Sequence, residues 1–260
     1  MKQRRRQGCV GSPHETVLQQ SGETVMDRKE AAHRDHPECG LVIDSVRKEL
    51  GGMAVLKEAS LSLRSGEVCL LQGPNGSGKS TLLACVAGLH VLDSGRIRVG
   101  DPPADPLGVE AKRWIGYAPD VHPIDLRLSV GEYLYLLGAL HGLYRLEERI
   151  QALANPLGTA ELASVPLEHC SRGMTKRATL VAALLHDPPL LILDEPEAGL
   201  DSKAQGALLH ILQQRASAGV TMLIATHHPT FYATLAPRAI LLAEGAVQES
   251  QEDREGWGRP

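Results

Sequence analysis

Aromatic residues are scarce in this sequence, where they make up 3% of 260 residues and include a single phenylalanine. Proteins that bind single-stranded nucleic acid without sequence preference stack its bases on aromatic side chains, so this composition disfavours that class. An excess of basic residues is missing as well, because the formal net charge is −4. A basic patch is the usual footprint of a nucleic-acid-binding protein. We therefore expect no nucleic-acid partner.

Long apolar runs are also absent. The longest apolar stretch extends from Leu128 to Leu143 and is interrupted by Glu132 and His141. A membrane-spanning helix needs about 18 or more apolar residues with few or no charges. The sequence therefore predicts no membrane span, although the chain could still attach to a membrane protein.

The cysteines do not form a C-x-x-C motif. They are five in number and scattered along the chain. Disulfides persist mainly in oxidising compartments and usually pair an even number of cysteines. The pattern is typical of reduced thiols in the cytosol.

A glycine-rich loop is the most informative feature that the sequence does contain. Residues 73–81 match the phosphate-binding pattern G-x-x-x-x-G-K-[ST], after an apolar run at 68–71 and before a helical pattern at 82–87. Glycines allow backbone N–H groups to approach a polyphosphate closely, while Lys79 can reach the outer phosphates and Ser80 can offer its hydroxyl to Mg²⁺. The predicted nucleotide-binding residues are Gly73, Pro74, Asn75, Gly76, Ser77, Gly78, Lys79, Ser80 and Thr81.

Two further apolar strands end in polar side chains. The run 190–193 leads into Asp194 and Glu195, and the run 220–225 leads into Thr226 and His227. In phosphate-loop enzymes an aspartate at such a position holds Mg²⁺ through water, and Glu195 could polarise the attacking water as a general base. His227 could contact a γ-phosphate, the alternative being an ordinary capping residue. Parallel strands gather their carboxyl ends at one edge of a sheet, so we expect these side chains beside the phosphate loop.

The order of the patterns predicts an α/β fold. We expect a phosphate-loop core with a mostly parallel sheet, an antiparallel β subdomain and an inserted helical subdomain at about 120–186. Short strands are predicted at 41–43, 54–56 and 114–117, and Ser129 is a predicted helix N-cap. The polar, aperiodic segments 1–38 and 251–260 are predicted tails around a nucleotide-binding domain at 39–250.

Together these motifs resemble the ATP-binding cassette family. The run at 170–177 resembles the family's signature sequence, and the segment at 195–201 looks like the one that leads into its D-loop. His227 falls at the family's switch histidine, with His228 the weaker candidate, and residues 114–120 resemble the stretch that ends in its Q-loop. The resemblance covers residues 40 to 250. It assigns Ser171, Arg172, Gly173 and Met174 to the signature and Asp201 to the D-loop.

The resemblance implies a working arrangement. Two such domains would face each other head to tail and enclose ATP and Mg²⁺ between the phosphate loop of one and the signature of the other. Glu195 and His227 would serve catalysis, while Ser80 and, through water, Asp194 would hold the metal. The partners would be a second nucleotide-binding domain and integral membrane permease subunits. The chain would be cytoplasmic and attached to the inner face of the membrane through these permeases.

Several positions depart from the family pattern. Asp120 stands where glutamine is usual and could still touch Mg²⁺ through a water molecule, while Leu50 stands near the place where many relatives stack an aromatic ring on adenine. Ala198 replaces the usual D-loop serine. Met174, with Arg172 before the signature glycine, is similar to the bacterial exporter branch, which favours an exporter.

Two other functions stay open at this point. The chain could be an ATPase of the same family in a non-transport complex, which co-purification with a membrane protein would separate from a transporter subunit. It could also be a binding module that dimerises on ATP with little turnover.

Overall fold

The computed structural model describes residues 40–100, 102–120 and 127–248. The predicted tails at 1–38 and 251–260 lie outside the described residues. The strands are β1 (Leu41–Leu50), β2 (Met53–Leu63), β3 (Val68–Gln72), β4 (Ser94–Val99), β5 (Ile115–Ala118), β6 (Leu190–Asp194), β7 (Thr221–Ala225), β8 (Arg238–Ala243) and β9 (Ala246–Gln248). The α-helices are α1 (Lys79–Val86), α2 (Val109–Trp114), α3 (Val130–Leu140), α4 (Leu146–Leu157), α5 (Arg172–Leu184) and α6 (Ser202–Ser217).

A three-stranded antiparallel sheet has the order β2-β1-β4. Its hairpin turns at Gly51 and Gly52, whose φ angles of 58° and 79° suit glycine and match the twist of the paired strands. The two strands of this hairpin are longer than the short runs at 41–43 and 54–56 suggested. Register shifts interrupt the pairing of β1 with β2, and this breaks the simple apolar alternation on which the sequence prediction relied.

A six-stranded sheet with the order β5-β6-β7-β3-β8-β9 forms the centre of the protein. Every neighbouring pair is parallel except β8 with β9. All residues of β6 and β7 are buried, which explains their continuous apolar sequence, because helices cover both faces of a parallel sheet. The predicted α/β fold with a mostly parallel sheet and an antiparallel subdomain is confirmed.

Helices α3, α4 and α5 occupy the region that the sequence predicted to be helical. Ser129 caps α3 in a capping box, in which its hydroxyl accepts from the Glu132 N–H at 3.3 Å and its own N–H donates to the Glu132 carboxylate at 2.8 Å. Helix α2 was not predicted, and it contains Trp114, which the sequence had placed in a strand. A helix of 6 residues is too short to show a clear period.

No helix in the described part of the chain is both long enough and apolar enough to cross a membrane.

Candidate functional site

The phosphate loop connects β3 to α1. Gly73, Gly76 and Gly78 have φ angles of 152°, 77° and 103°, a region that side chains strongly disfavour. A Cβ atom at Gly73 would lie 2.2 Å from the carbonyl oxygen of Leu242. The loop therefore packs against β8 in a way that glycine alone permits.

Lys79 is the first residue of α1 and is 7% exposed. Its Nζ donates to the carbonyl oxygens of Gly73 at 2.8 Å and Pro74 at 3.3 Å, and lies 3.3 Å from His227 Nε2. Ser77 Oγ is buried and has no hydrogen-bond partner among the described residues. An ammonium group folded over the loop and an unused hydroxyl beside it fit a polyphosphate, which needs a cation and donors.

Asp194 ends β6 and is 2% exposed. Burial raises the pKa of its carboxyl group, while a hydrogen bond from the Ser80 hydroxyl opposes that shift. Hydroxyl and carboxylate oxygens are the ligands that Mg²⁺ prefers, together with phosphate oxygens and water. The two side chains predicted to hold the metal therefore lie in contact, and they fit Mg²⁺.

Glu195 turns the chain sharply at the end of β6. Its φ angle is 46°, an unfavourable value for a residue other than glycine that is typical of functional sites. Its N–H donates to Ala225 O at 2.9 Å, which joins it to β7, and its carboxylate lies 3.5 Å from His227 Nε2. Burial and, next, the Glu197 carboxylate raise the pKa of Glu195. A carboxylate of raised pKa is a better proton acceptor.

Asp120 follows β5 at the place predicted for a water-mediated metal contact. Its carboxylate accepts from Nη2 of Arg172 at 2.9 and 2.7 Å and pairs with Lys176 Nζ at 3.3 Å. The two cations hold the pKa of Asp120 below its usual range, although burial acts in the opposite direction. The sequence predicted neither of these contacts.

The predicted signature begins α5. Ser171 is its N-cap and accepts from the Met174 N–H at 3.3 Å. A Cβ atom at Gly173 would lie 2.4 Å from the carbonyl oxygen of Gly199, so the start of the helix closely approaches the turn before Asp201. Asp201 caps α6 and forms an ion pair with Arg177 at 2.5 Å.

One cleft of about 520 Å³ brings many of the predicted residues together. Its lining comprises Val55, Asn75, Gly76, Gly78, Lys79, Ser80, Thr81, Asp120, Arg172, Asp194, Glu195, Ala198 and His227. Ser171, Gly173, Met174 and Asp201 are not part of this lining. Leu50 is not part of it either, whereas Val55 is.

Sequence reasoning missed two buried ionisable residues beside this cleft. Lys176 is 2% exposed and Glu197 is 3% exposed. Both lie inside motifs that were recognised, but neither motif indicates that the side chain points into the protein. The available signal for Lys176 was its place one helical turn before Leu180, on the face that α5 buries.

A family model described as ABC transporter matches residues 56–198. Among curated proteins, the chain is 34% identical over 217 residues to the Nod factor export ATP-binding protein I of Sinorhizobium fredii. The aligned region covers 83% of this chain and 63% of the relative. The chain is 33% identical over 209 residues to the linearmycin resistance ATP-binding protein LnrL of Bacillus subtilis, covering 80% of this chain and 67% of the relative. The chain thus spans roughly two thirds of the length of these relatives.

Solved structures agree with this family match. The ATP-binding subunit of an ABC transporter superposes with a TM-score of 0.73 at 28% identity, covering 82% of this chain and 90% of the other. A dimeric ATP-binding cassette in a post-hydrolysis state with ADP and phosphate has a TM-score of 0.70 at 24% identity, covering 80% and 97%. At this identity the second match supports a shared fold and nothing further.

Proposed function

Because the chain belongs to the ABC transporter family and to its ATPases, we propose that it hydrolyses ATP as the energy-supplying subunit of an exporter. In this proposal two nucleotide-binding domains form a head-to-tail dimer that drives integral membrane subunits. The observation that carries it is the cleft in which Lys79, the Ser80–Asp194 pair and the Glu195–His227 pair meet.

In this proposal each residue of the cleft has a separate role in the transfer of the γ-phosphoryl group to water. Lys79 and the loop N–H groups would bind the phosphates, and Ser80 with Asp194 would hold Mg²⁺, which supplies charge neutralisation when bound. Glu195 would accept a proton from the attacking water, a role that its raised pKa favours. His227 Nε2 lies 3.3 Å from Lys79 Nζ and 3.5 Å from the Glu195 carboxylate. His227 would therefore stand between the residue that binds the phosphates and the proposed general base.

The predicted signature supports the dimer. Ser171 is exposed and, with Gly173, stands at the N-terminal end of the 13-residue helix α5, outside the lining of its own chain's cleft. Free N–H groups and the helix dipole at such an end favour an anion. Since the chain contains a single phosphate loop and a single signature, we propose that Ser171 and Gly173 act on the nucleotide of a second domain.

An apolar surface on and after α3 supports a membrane partner. Tyr135, Leu136, Leu140 and Tyr144 are 45%, 48%, 73% and 62% exposed. Grouped apolar side chains on a protein surface often mark an interaction site. The relatives named for Nod factor export and linearmycin resistance favour an exporter, and we place the working complex at the cytoplasmic face of the membrane.

The Glu195→Gln variant tests the ATPase and the dimer together. With ATP and Mg²⁺ it should form a stable dimer in light scattering, while hydrolysis should fall by about 10²–10⁴-fold, the usual contribution of a general base. Glu161→Gln, at an exposed glutamate outside the cleft, is the matched control and should behave as the parent chain does. Hydrolysis at the parent rate in Glu195→Gln would contradict the role of Glu195.

Co-purification tests the membrane part of the proposal. An exporter subunit should copurify with an integral membrane protein whose presence raises the rate of ATP hydrolysis. A soluble complex would instead favour an ABC-type ATPase of a non-transport assembly. A dimer that forms on ATP with negligible turnover in any complex would favour a nucleotide-gated binding module.

A further inference from the structure

Lys176 is a buried lysine on the face of α5 that packs against the central sheet. Its side chain is 1% exposed, and its Nζ pairs with Asp120 Oδ1 at 3.3 Å. The same nitrogen donates to Pro119 O at 3.0 Å and to Asp194 O at 2.9 Å. An ammonium group has three N–H donors, so these three contacts match its capacity. Lys176 therefore acts on the protein around it and not on a ligand.

One peptide group is held on both edges by this arrangement. The carbonyl oxygen of Asp194 accepts from Lys176 Nζ at 2.9 Å. The N–H of the same peptide group belongs to Glu195 and donates to Ala225 O at 2.9 Å. Because a peptide group is planar, bonds at its two edges fix its orientation. The link between the proposed metal-binding carboxylate and the proposed general base is thus held from α5 on one side and from β7 on the other.

The backbone at Glu195 gives this clamp a task. The φ angle of Glu195 is 46°, in the left-handed region that residues with a side chain rarely adopt. Such a conformation persists only where the surrounding contacts enforce it. A turn that relaxed to a negative φ angle would change the direction of the chain at Glu195, and with it the place of the carboxylate. The bonds to the Asp194–Glu195 peptide group oppose this relaxation.

The two side chains that flank the peptide group both line the cleft, whereas Lys176 is not part of the lining. Asp194 accepts a hydrogen bond from the Ser80 hydroxyl, and the Glu195 carboxylate lies 3.5 Å from His227 Nε2. A misplacement of about 1 Å in a reacting group can lower a rate about 10²-fold. Lys176 can therefore affect the chemistry of the cleft through the peptide group alone.

We propose that Lys176 is a positioning residue for ATP hydrolysis, which holds the turn at Glu195 in its catalytic geometry through the carbonyl group of Asp194. The inference rests on the proposed function, in which Glu195 is the general base. It gives α5 a second role. Ser171 at the start of the helix would act on the nucleotide of a second domain, while Lys176 acts within its own chain.

The Lys176→Met variant tests this role, because methionine keeps the length of the side chain and removes its donors and its charge. Hydrolysis of ATP with Mg²⁺ should fall about 10- to 100-fold. The ATP-bound dimer should accumulate in light scattering, as is expected for Glu195→Gln, since a misplaced base leaves ATP uncleaved. Lys112→Met, at an exposed lysine of α2, is the matched control and should behave as the parent chain does.

Dimer formation separates positioning of the base from simple support of α5. If Lys176 only anchored the helix, its removal would displace Ser171 and Gly173, and the dimer would be lost together with hydrolysis. That result would overturn the inference, and so would hydrolysis at the parent rate in a folded variant.

Urea unfolding shows whether Lys176→Met is folded under the conditions of the assay. If it is not, Lys176→Gln takes its place with the same two measurements, because it keeps two amide donors in a shorter side chain and loses the charge. Hydrolysis at the parent rate in Glu195→Gln would contradict the proposed function instead, which keeps the two failures apart.

Discussion

Two clusters of polar side chains flank the end of β6, and each surrounds one carboxylate with different partners. In the cation cluster (Asp120, Arg172 and Lys176), the carboxylate is balanced by two cations. In the hydroxyl cluster (Glu197, Thr226 and Tyr232), the carboxylate accepts from the Thr226 and Tyr232 hydroxyls, the latter at 2.5 Å. No lysine or arginine contacts Glu197 within the described residues. The carboxylate at the cleft wall is thus paired with cations, whereas the buried carboxylate two residues after Glu195 is held by neutral hydroxyl donors.

The hydroxyl cluster connects the two turns that carry Glu195 and His227. Glu197 lies two residues after Glu195, and Thr226 immediately precedes His227. Thr226 Oγ1 also accepts from the His228 N–H at 2.9 Å. The bonds to Glu197 thus fix both turns relative to each other, and its charge contributes to the raised pKa of Glu195. Glu197 is a positioning residue in this account.

The largest effect should follow from breaking the cation cluster at its buried member. Lys176→Met leaves the carbonyl groups of Pro119 and Asp194 without their donor and Asp120 with Arg172 alone. The two carbonyl oxygens accept from Lys176 Nζ at 3.0 and 2.9 Å, and a buried acceptor left without a donor costs about 1–3 kcal/mol. We therefore expect the free energy of unfolding, measured with urea, to fall by more than about 2 kcal/mol. Lys203→Met, at an exposed residue of α6, is the control. A loss below about 1 kcal/mol would show that the cluster contributes little to stability.

Glu197→Gln tests the hydroxyl cluster, because it removes the negative charge of the Glu197 side chain and keeps its size and shape. The two hydroxyls donate to different oxygens of the Glu197 carboxylate, and an amide has a single acceptor oxygen, so one of these bonds is lost in the present geometry. The neutral amide also no longer raises the pKa of Glu195. We expect kcat for ATP hydrolysis to fall about tenfold with KM within about twofold, since proton transfer depends on the basicity and position of the base. A rise in KM with unchanged kcat would mean that Glu197 serves nucleotide binding, which contradicts its assigned role.

A smaller loss of stability than in Lys176→Met should come from Tyr232→Phe. This change removes one hydroxyl donor and leaves the bond from Thr226 to Glu197 in place. A hydrogen bond to a charged group contributes about 1.5–3 kcal/mol, so the free energy of unfolding should drop by less than in Lys176→Met. Thermal and urea unfolding of the two variants side by side would check the order, and a reversed order would contradict the distinction between the clusters.

The sequence predicted those parts of the site whose residues are close together in the chain. The phosphate loop and the strand ends at Asp194 and His227 were recognised because local patterns define them, and the α/β fold followed from their order. The two clusters depend on residues far apart in the chain. Arg172 and Asp120 are separated by 52 positions, and Tyr232 and Glu197 by 35.

Asp120 shows the limit of local patterns most directly. The resemblance of residues 114–120 to the Q-loop stretch placed it near the metal, and it does line the cleft. Its partners became visible only when α5 was packed against the sheet, because Lys176 reaches Asp120 and the carbonyl group of Asp194 across the helix–sheet interface. The packing of helices on a sheet, rather than any motif, decides which charges meet.

ATP hydrolysis as a function of protein concentration tests the central claim most directly. The purified chain should hydrolyse ATP in the presence of Mg²⁺ at a rate that rises faster than linearly with concentration, because the proposed active species is a dimer. Glu195→Gln should lose this activity. A rate strictly proportional to concentration, or one unchanged in Glu195→Gln, would contradict a dimeric ATPase that uses Glu195 as its base.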